Sequence, residues 1–174
     1  STLVSKMVPR ILDELYGTLV ASHMTPTEES YKFRGKVGLT WRRYIENLRC
    51  MVRTYMERLA RGNVLSNNIV IRVMSTQNTA ANVIVAESTN EARSILKEWA
   101  DYVSELEREL ELTPFDRPDY TSIDILQNND YPTVSYELQQ GITLTFWRAF
   151  TFANTRVGDN FELEDLEKGA YCAN

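Results

Sequence analysis

Apolar side chains return at helical spacing in three stretches of the chain and alternate with polar ones in several others. Val8, Ile11, Leu12, Leu15 and Leu19 fall on one helical face behind Pro9, a residue suited to a first turn because its missing N–H would have no partner there. The spacing predicts a helix over residues 9–21. Trp41, Ile45, Leu48, Val52, Tyr55 and Leu59 recur at intervals of 4, 3, 4, 3 and 4, which is a heptad seam. Tyr44, Met51 and Met56 widen that apolar face. Thr40 offers a capping hydroxyl ahead of it, and Gly62 can take the left-handed turn that ends a helix. Ala92, Leu96, Trp99, Val103, Leu106 and Leu110 repeat the same intervals behind Ser88-Thr89-Asn90-Glu91, a capping-box sequence, and Thr113-Pro114 stops the run.

Between these helices the pattern changes to strands. Residues 68–74 and 81–86 are rich in Val and Ile and are joined by the polar link 75–79, which predicts an antiparallel pair. Residues 120–127 hold Ile123, Ile125 and Leu126 before a turn at Asn128-Asn129-Asp130. Val134, Tyr136 and Leu138 alternate with polar residues, Gln139-Gln140-Gly141 turns, and residues 142–152 form a long run of β-formers. Residues 31–37 alternate aromatic and basic side chains, as in a short strand or an extended arm. The predicted fold is α+β: two long amphipathic helices and a shorter N-terminal helix packed on an antiparallel sheet. Residues 1–158 read as one domain and 159–174 as an acidic tail.

Length and charge narrow the classes. A chain of 174 residues fits one domain that buries a full core without staples. No apolar run approaches the roughly 18 residues of a membrane span, so no membrane partner is expected. The first residues mix charges into their apolar positions, unlike a secretory signal. Residues 1–72 carry 12 Lys/Arg against 6 Asp/Glu, and residues 73–174 carry 7 against 18, so the net charge of −5 is strongly divided. The basic helix face (Arg42, Arg43, Arg49, Arg53, Arg58, Arg61) and the acidic one (Glu91, Glu98, Asp101, Glu105, Glu107, Glu109, Glu111) invite three readings: pairing within one fold, pairing between copies, or a nucleic-acid contact.

Little in the chain suggests catalysis. Phosphate-cradling glycine loops, a nucleophile elbow and paired-histidine zinc motifs are all missing from the sequence. One histidine and two cysteines exclude an ordinary His/Cys zinc site, and neither a metal nor a cofactor is expected. His23, in a polar loop, reads as a surface residue, and Cys50 as a small apolar group beside the seam. Asp116, Asp119, Asp124 and Asp130 are spaced like turn and edge residues.

The order of elements over residues 9–21, 68–86, 88–112 and 134–152 resembles that of small ring-forming proteins of bacteriophage tails and head–tail joints. The basic helix at residues 40–61 departs from their simplest plan. The resemblance implies a non-catalytic subunit that assembles with copies of itself and with neighbouring proteins, in a virion or in the cytoplasm of a host cell. The expected contacts are Arg42, Arg43, Arg49 and Arg53 on the charged face, with Trp147, Arg148 and Phe150 as strand anchors. The alternative is a nucleic-acid-binding module over residues 31–53, where Lys32, Arg34 and Lys36 would join the arginines on phosphates.

Overall fold

A computed structural model describes residues 5–14, 16–23, 28, 31, 38–63, 65–75, 89–120 and 133–148. A 3-10 turn at Ser5–Met7 leads into α1 (Val8–Glu14), followed by β1 (Gly17–Ser22), α2 (Trp41–Ala60), β2 (Asn67–Ser75), α3 (Thr89–Glu109), β3 (Thr133–Gln139) and β4 (Ile142–Arg148). The fold is α+β, with the two long helices and the short N-terminal one that the apolar pattern predicts. The sheet runs β1-β2-β4-β3.

The sheet is mixed, which corrects the expectation of an antiparallel one. β2 pairs in parallel with both β1 and β4, and only β3 and β4 run antiparallel. Parallel neighbours need a long crossover, and α2 supplies it between β1 and β2. The partner expected for β2, at residues 81–86, lies outside the described residues, as does the run at 121–127.

The N-terminal helix is shorter than the predicted 9–21. Leu15 and Leu19 satisfy a helical period, but Gly17 takes φ +112° and β1 begins there. Thr18 and Val20 favour extended backbone, and the segment finds a ladder, Leu19 opposite Ile69 and Ala21 opposite Ile71. α1 is held to α2 by Arg58, which pairs with Asp13 at 2.7 Å and donates to the Pro9 carbonyl at 2.6 Å.

The ends of α2 form as their residues dictate. Thr40 is the N-cap, its Oγ1 accepting the Arg43 N–H at 3.2 Å. At the other end Gly62 adopts φ +74°, the Gly62 N–H donates to Leu59 and the Asn63 N–H to Arg58, a Schellman motif. α3 ends in the same way, with the Leu112 N–H on the Glu107 carbonyl, but its left-handed residue is Glu111 at φ 54°.

One core unites the layers. Ile69, Ile71 and Val73 of β2 stand beside Ile142, Leu144 and Phe146 of β4 in register. Over them lie the seams of both helices, with Ile45, Leu48, Val52 and Tyr55 from α2 and Leu96, Trp99, Val103 and Leu106 from α3. Each of these side chains, fully removed from water, contributes on the order of 1.5–3 kcal/mol. The β3–β4 hairpin turns at Gly141, φ +75°, where an added Cβ would collide with the hydroxyl of Tyr55 and lie 3.2 Å from Asn68 Oδ1. That hydroxyl is committed, donating to the Asn67 carbonyl at 2.9 Å.

Candidate charged interface

The basic and acidic helix faces meet within one chain. Arg49 Nη2 donates to Glu98 at 2.8 Å, and Arg53 grips Glu109 with two bonds of 2.6 and 2.8 Å. Between these pairs Tyr102 donates to the Arg49 carbonyl at 3.1 Å, and the Arg49 guanidinium lies 5.1 Å from the Tyr102 ring centroid. Partners ascend together along both helices, so α2 and α3 lie side by side and parallel. Their charged margins meet while their apolar seams enter the core. The two bonds from Arg53 hold the Glu109 carboxyl below the usual carboxylate range, and Glu109 in turn raises the Arg53 guanidinium further. Burial pushes the Tyr102 hydroxyl up.

Arg42 and Arg43 are placed differently. They occupy the second and third positions of α2, and both reach the same acid, Glu46, at 3.1 and 3.5 Å. Their side chains remain 87% and 55% exposed. The first turn contains no acidic residue. A helix N-terminus carries a partial positive charge and favours carboxylates, so two arginines there oppose the helix's own field. Glu in place of Arg43 would complete a capping box with Thr40. The local structure thus prefers the opposite charge at the position where this chain puts Arg43.

Trp147 and Arg148 close β4, opposite Met74 and Ser75 of β2. Phe150, Lys32, Arg34 and Lys36 lie outside the described residues, together with Asp124, Asp130, Cys172 and the tail at 159–174. Asp116 is exposed on the segment after α3, and Cys50 is half-buried on α2.

Two groups escaped the reading of the sequence. His23 is not a surface residue but 3% exposed. Its N–H continues the β1–β2 ladder to the Arg72 carbonyl at 2.7 Å, which carries the ring inward. There it stacks 6.0 Å from Tyr44 and meets the edge of Trp99 at 5.6 Å. Its Nδ1 finds no hydrogen-bond partner among the described residues, and burial lowers its pKa to about 3, with Arg49 acting in the same direction. The ring is a neutral core aromatic at ordinary pH.

The second group is a buried clasp. Glu107, assigned by its position to the acidic outer face, is 3% exposed. It accepts from Arg117, from Gln139 at 2.7 Å and from the Phe115 N–H at 3.3 Å. Arg117 also donates to the Leu138 carbonyl at 2.7 Å and to Ser104 at 3.0 Å. A register shift between Glu137 and Gln139 places Leu138 and Gln139 both inside, which brings the Gln139 amide to Glu107. The clasp fastens the segment after α3 across the end of that helix and onto β3. Each nitrogen of the Arg117 guanidinium donates one of these bonds, so the clasp ties α3, the segment after it and β3 together.

Among the described residues no group of three or more His, Cys, Asp or Glu is arranged to hold a metal, and no helix is long and apolar enough to cross a membrane. Compared with models of protein families, with curated proteins and with solved structures, the chain finds no match in any of the three.

Proposed function

We propose that the chain is a non-catalytic assembly subunit that associates with its own copies, and with neighbouring proteins, through charged faces. The observation that carries this reading is the start of α2, where Arg42 and Arg43 share one carboxylate against the field of their own helix. Residues that oppose local stability are characteristic of functional or strained sites. Arg49 and Arg53 spend their charge inside the chain and brace the surface that Arg42 and Arg43 present. The complementary surface is acidic: Glu105 and Glu111 are exposed on and just after α3. A basic patch at one end and acidic residues elsewhere make a head-to-tail contact, the type that closes into rings or grows into filaments. Strand residues Trp147, Arg148 and Phe150 are the proposed anchors of the same assembly. A virion component of the tail or head–tail type fits such a ring-forming subunit, by the resemblance in element order.

Sedimentation of the double variant Arg42→Glu/Arg43→Glu tests the reading. The variant is expected to remain at lower mass than the parent at low salt. Equal masses at every concentration would remove the proposal.

The same two arginines at a helix N-terminus also suit a phosphate, so a nucleic-acid contact extending to Lys32, Arg34 and Lys36 is the second reading. It requires oligonucleotide binding whose salt slope falls when Arg42 and Arg43 become Ala.

A further inference from the structure

We infer that the segment after α3 is an edge guard: it ends the sheet at β3 and keeps β3 from pairing with the same strand of a second copy. β3 stands last in the strand order, with β4 as its one ladder partner among the described residues. Its sequence, from Thr133 to Gln139, holds β-formers, no proline and a single charge, Glu137. An edge of that kind invites another chain unless something covers it. Here side chains of the segment after α3 take up its carbonyls. Arg117 Nε donates to the Leu138 carbonyl at 2.7 Å, and the Tyr120 hydroxyl donates to the Glu137 carbonyl at 3.5 Å. The Tyr120 ring stands perpendicular to the Tyr136 ring, their centroids 5.9 Å apart. The register shift between Glu137 and Gln139 interrupts the ladder at the same place, a second device of natural edges.

The guard covers β3 without becoming a strand itself. Pro114 and Pro118 bring no N–H to a ladder, so the segment supplies side-chain donors to β3 rather than a fifth strand. Phe115 and Arg117 are half-buried, whereas Asp116 and Pro118 are exposed. A carboxylate and a proline turned outward both discourage strand addition. Glu107 anchors the segment to α3, accepting from Arg117 and from the Phe115 N–H at 3.3 Å. One guanidinium therefore joins the helix to the strand edge, and Arg117 is the positioning residue of the guard. The occupant it excludes is a second β3. In a pure chain freed of the guard, the same carbonyls are released on every copy, and a strand paired with itself about a two-fold axis closes.

The test opens the guard and measures the mass of the full chain by light scattering at about 500 mM salt, where exposed charge contacts are screened to a few ångströms. Arg117→Ala/Glu107→Gln removes the donor to Leu138 and leaves no stranded carboxylate. With the circular dichroism spectrum of the parent retained, this variant is expected to reach about twice the parent mass, as a closed pair requires. Hydrogen exchange over residues 133–139 should slow as its concentration rises, and should ignore concentration in the parent. Should the double variant not fold, Tyr120→Ala takes its place, because it frees the Glu137 carbonyl without touching the buried charges; the same two readings are expected, with a smaller gain in mass. For whichever variant folds, a mass equal to that of the parent, or a heavier species whose exchange over 133–139 ignores concentration, would overturn the inference. None of these outcomes bears on the low-salt contact of Arg42 and Arg43.

Discussion

Arg53 and Glu109 join the basic helix to the acidic one by two parallel hydrogen bonds of 2.6 and 2.8 Å. The pair lies 56 residues apart in sequence and at the solvent margin of the two seams. It accounts for part of the charge division along the chain without any partner. It also sets Arg49 and Arg53, which reach acids on α3, apart from Arg42 and Arg43, which reach only Glu46 on their own helix.

The second pair yields a prediction in which stability and association move in opposite directions. Arg43→Glu removes a positive charge from the helix N-terminus and creates a capping box with Thr40. Against the lost Arg43–Glu46 pair, about 0.2–0.5 kcal/mol, and a similar cost for two carboxylates at that spacing, the cap and the helix field should leave a small net stabilisation, measured by urea denaturation. It should also weaken self-association at low salt. If the variant proves less stable than the parent, the argument that Arg43 opposes its own helix fails.

The clasp under α3 should be costly to break from one side. Arg117→Ala leaves Glu107 buried without its cation and should destabilise by about 3–5 kcal/mol. Adding Glu107→Gln to that variant removes the stranded charge and should recover part of the loss. Denaturation of the two variants side by side measures this. Equal stability of the two variants would show that the stranded charge is not what makes the loss costly.

His23 should leave a mark on the pH dependence of stability. Its native pKa is about 3 against 6.5 for the free side chain. Above pH 6.5 neither state binds the proton, and His23 adds no slope. Between about 6.5 and 3 the unfolded chain binds a proton that the native chain does not, so stability falls as pH falls, by up to about 1.4 kcal/mol per unit. His23→Phe keeps a ring between Tyr44 and Trp99 and should flatten this slope by close to one proton in the acid range. Parallel profiles for parent and variant would show that the imidazole charges without unfolding.

Gly141→Ala should be among the most damaging single-methyl additions. The residue sits at φ +75°, and the new Cβ meets the Tyr55 hydroxyl that serves the Asn67 carbonyl. A loss of about 2–4 kcal/mol is expected from the left-handed backbone and the displaced bond together. In a Tyr55→Phe background the added cost should shrink, because the colliding oxygen is gone. A cost unchanged in that background would assign the whole effect to the backbone angle.

What the sequence revealed was governed by local rules. Both long helices, the Thr40 cap, the Gly62 stop and the β3–β4 hairpin follow from spacing and turn chemistry within a few residues, and all are present. The start of β1 was hidden because Leu15 and Leu19 fit a helical period as well as a strand. Gly17 was the one local sign against a continuous helix. Parallel pairing was invisible because it joins distant residues, Gly17 with Asn67 and Ile69 with Ile142, with a helix between each pair. His23 and Glu107 share a single cause. Each looks polar and exposed in its own neighbourhood, and each is buried by an element that arrives from elsewhere, α3 over His23 and the Arg117 segment over Glu107. Arg117 itself, between Pro114 and Pro118, gave no signal beyond a cation in a loop. The charge division was legible as composition, but which arginines reach acids on α3 and which reach only Glu46 needed the helices side by side.

The most direct test of the account is the mass of the full chain by light scattering at about 50 mM and about 500 mM salt, for the parent and for Arg42→Glu/Arg43→Glu. The Debye length shortens from above 10 Å to a few ångströms across that range, so exposed charge contacts weaken. The account predicts that the parent forms a larger species at the lower salt than at the higher, and that the variant at the lower salt matches the parent at the higher. A parent mass that does not change with salt would contradict association through these faces.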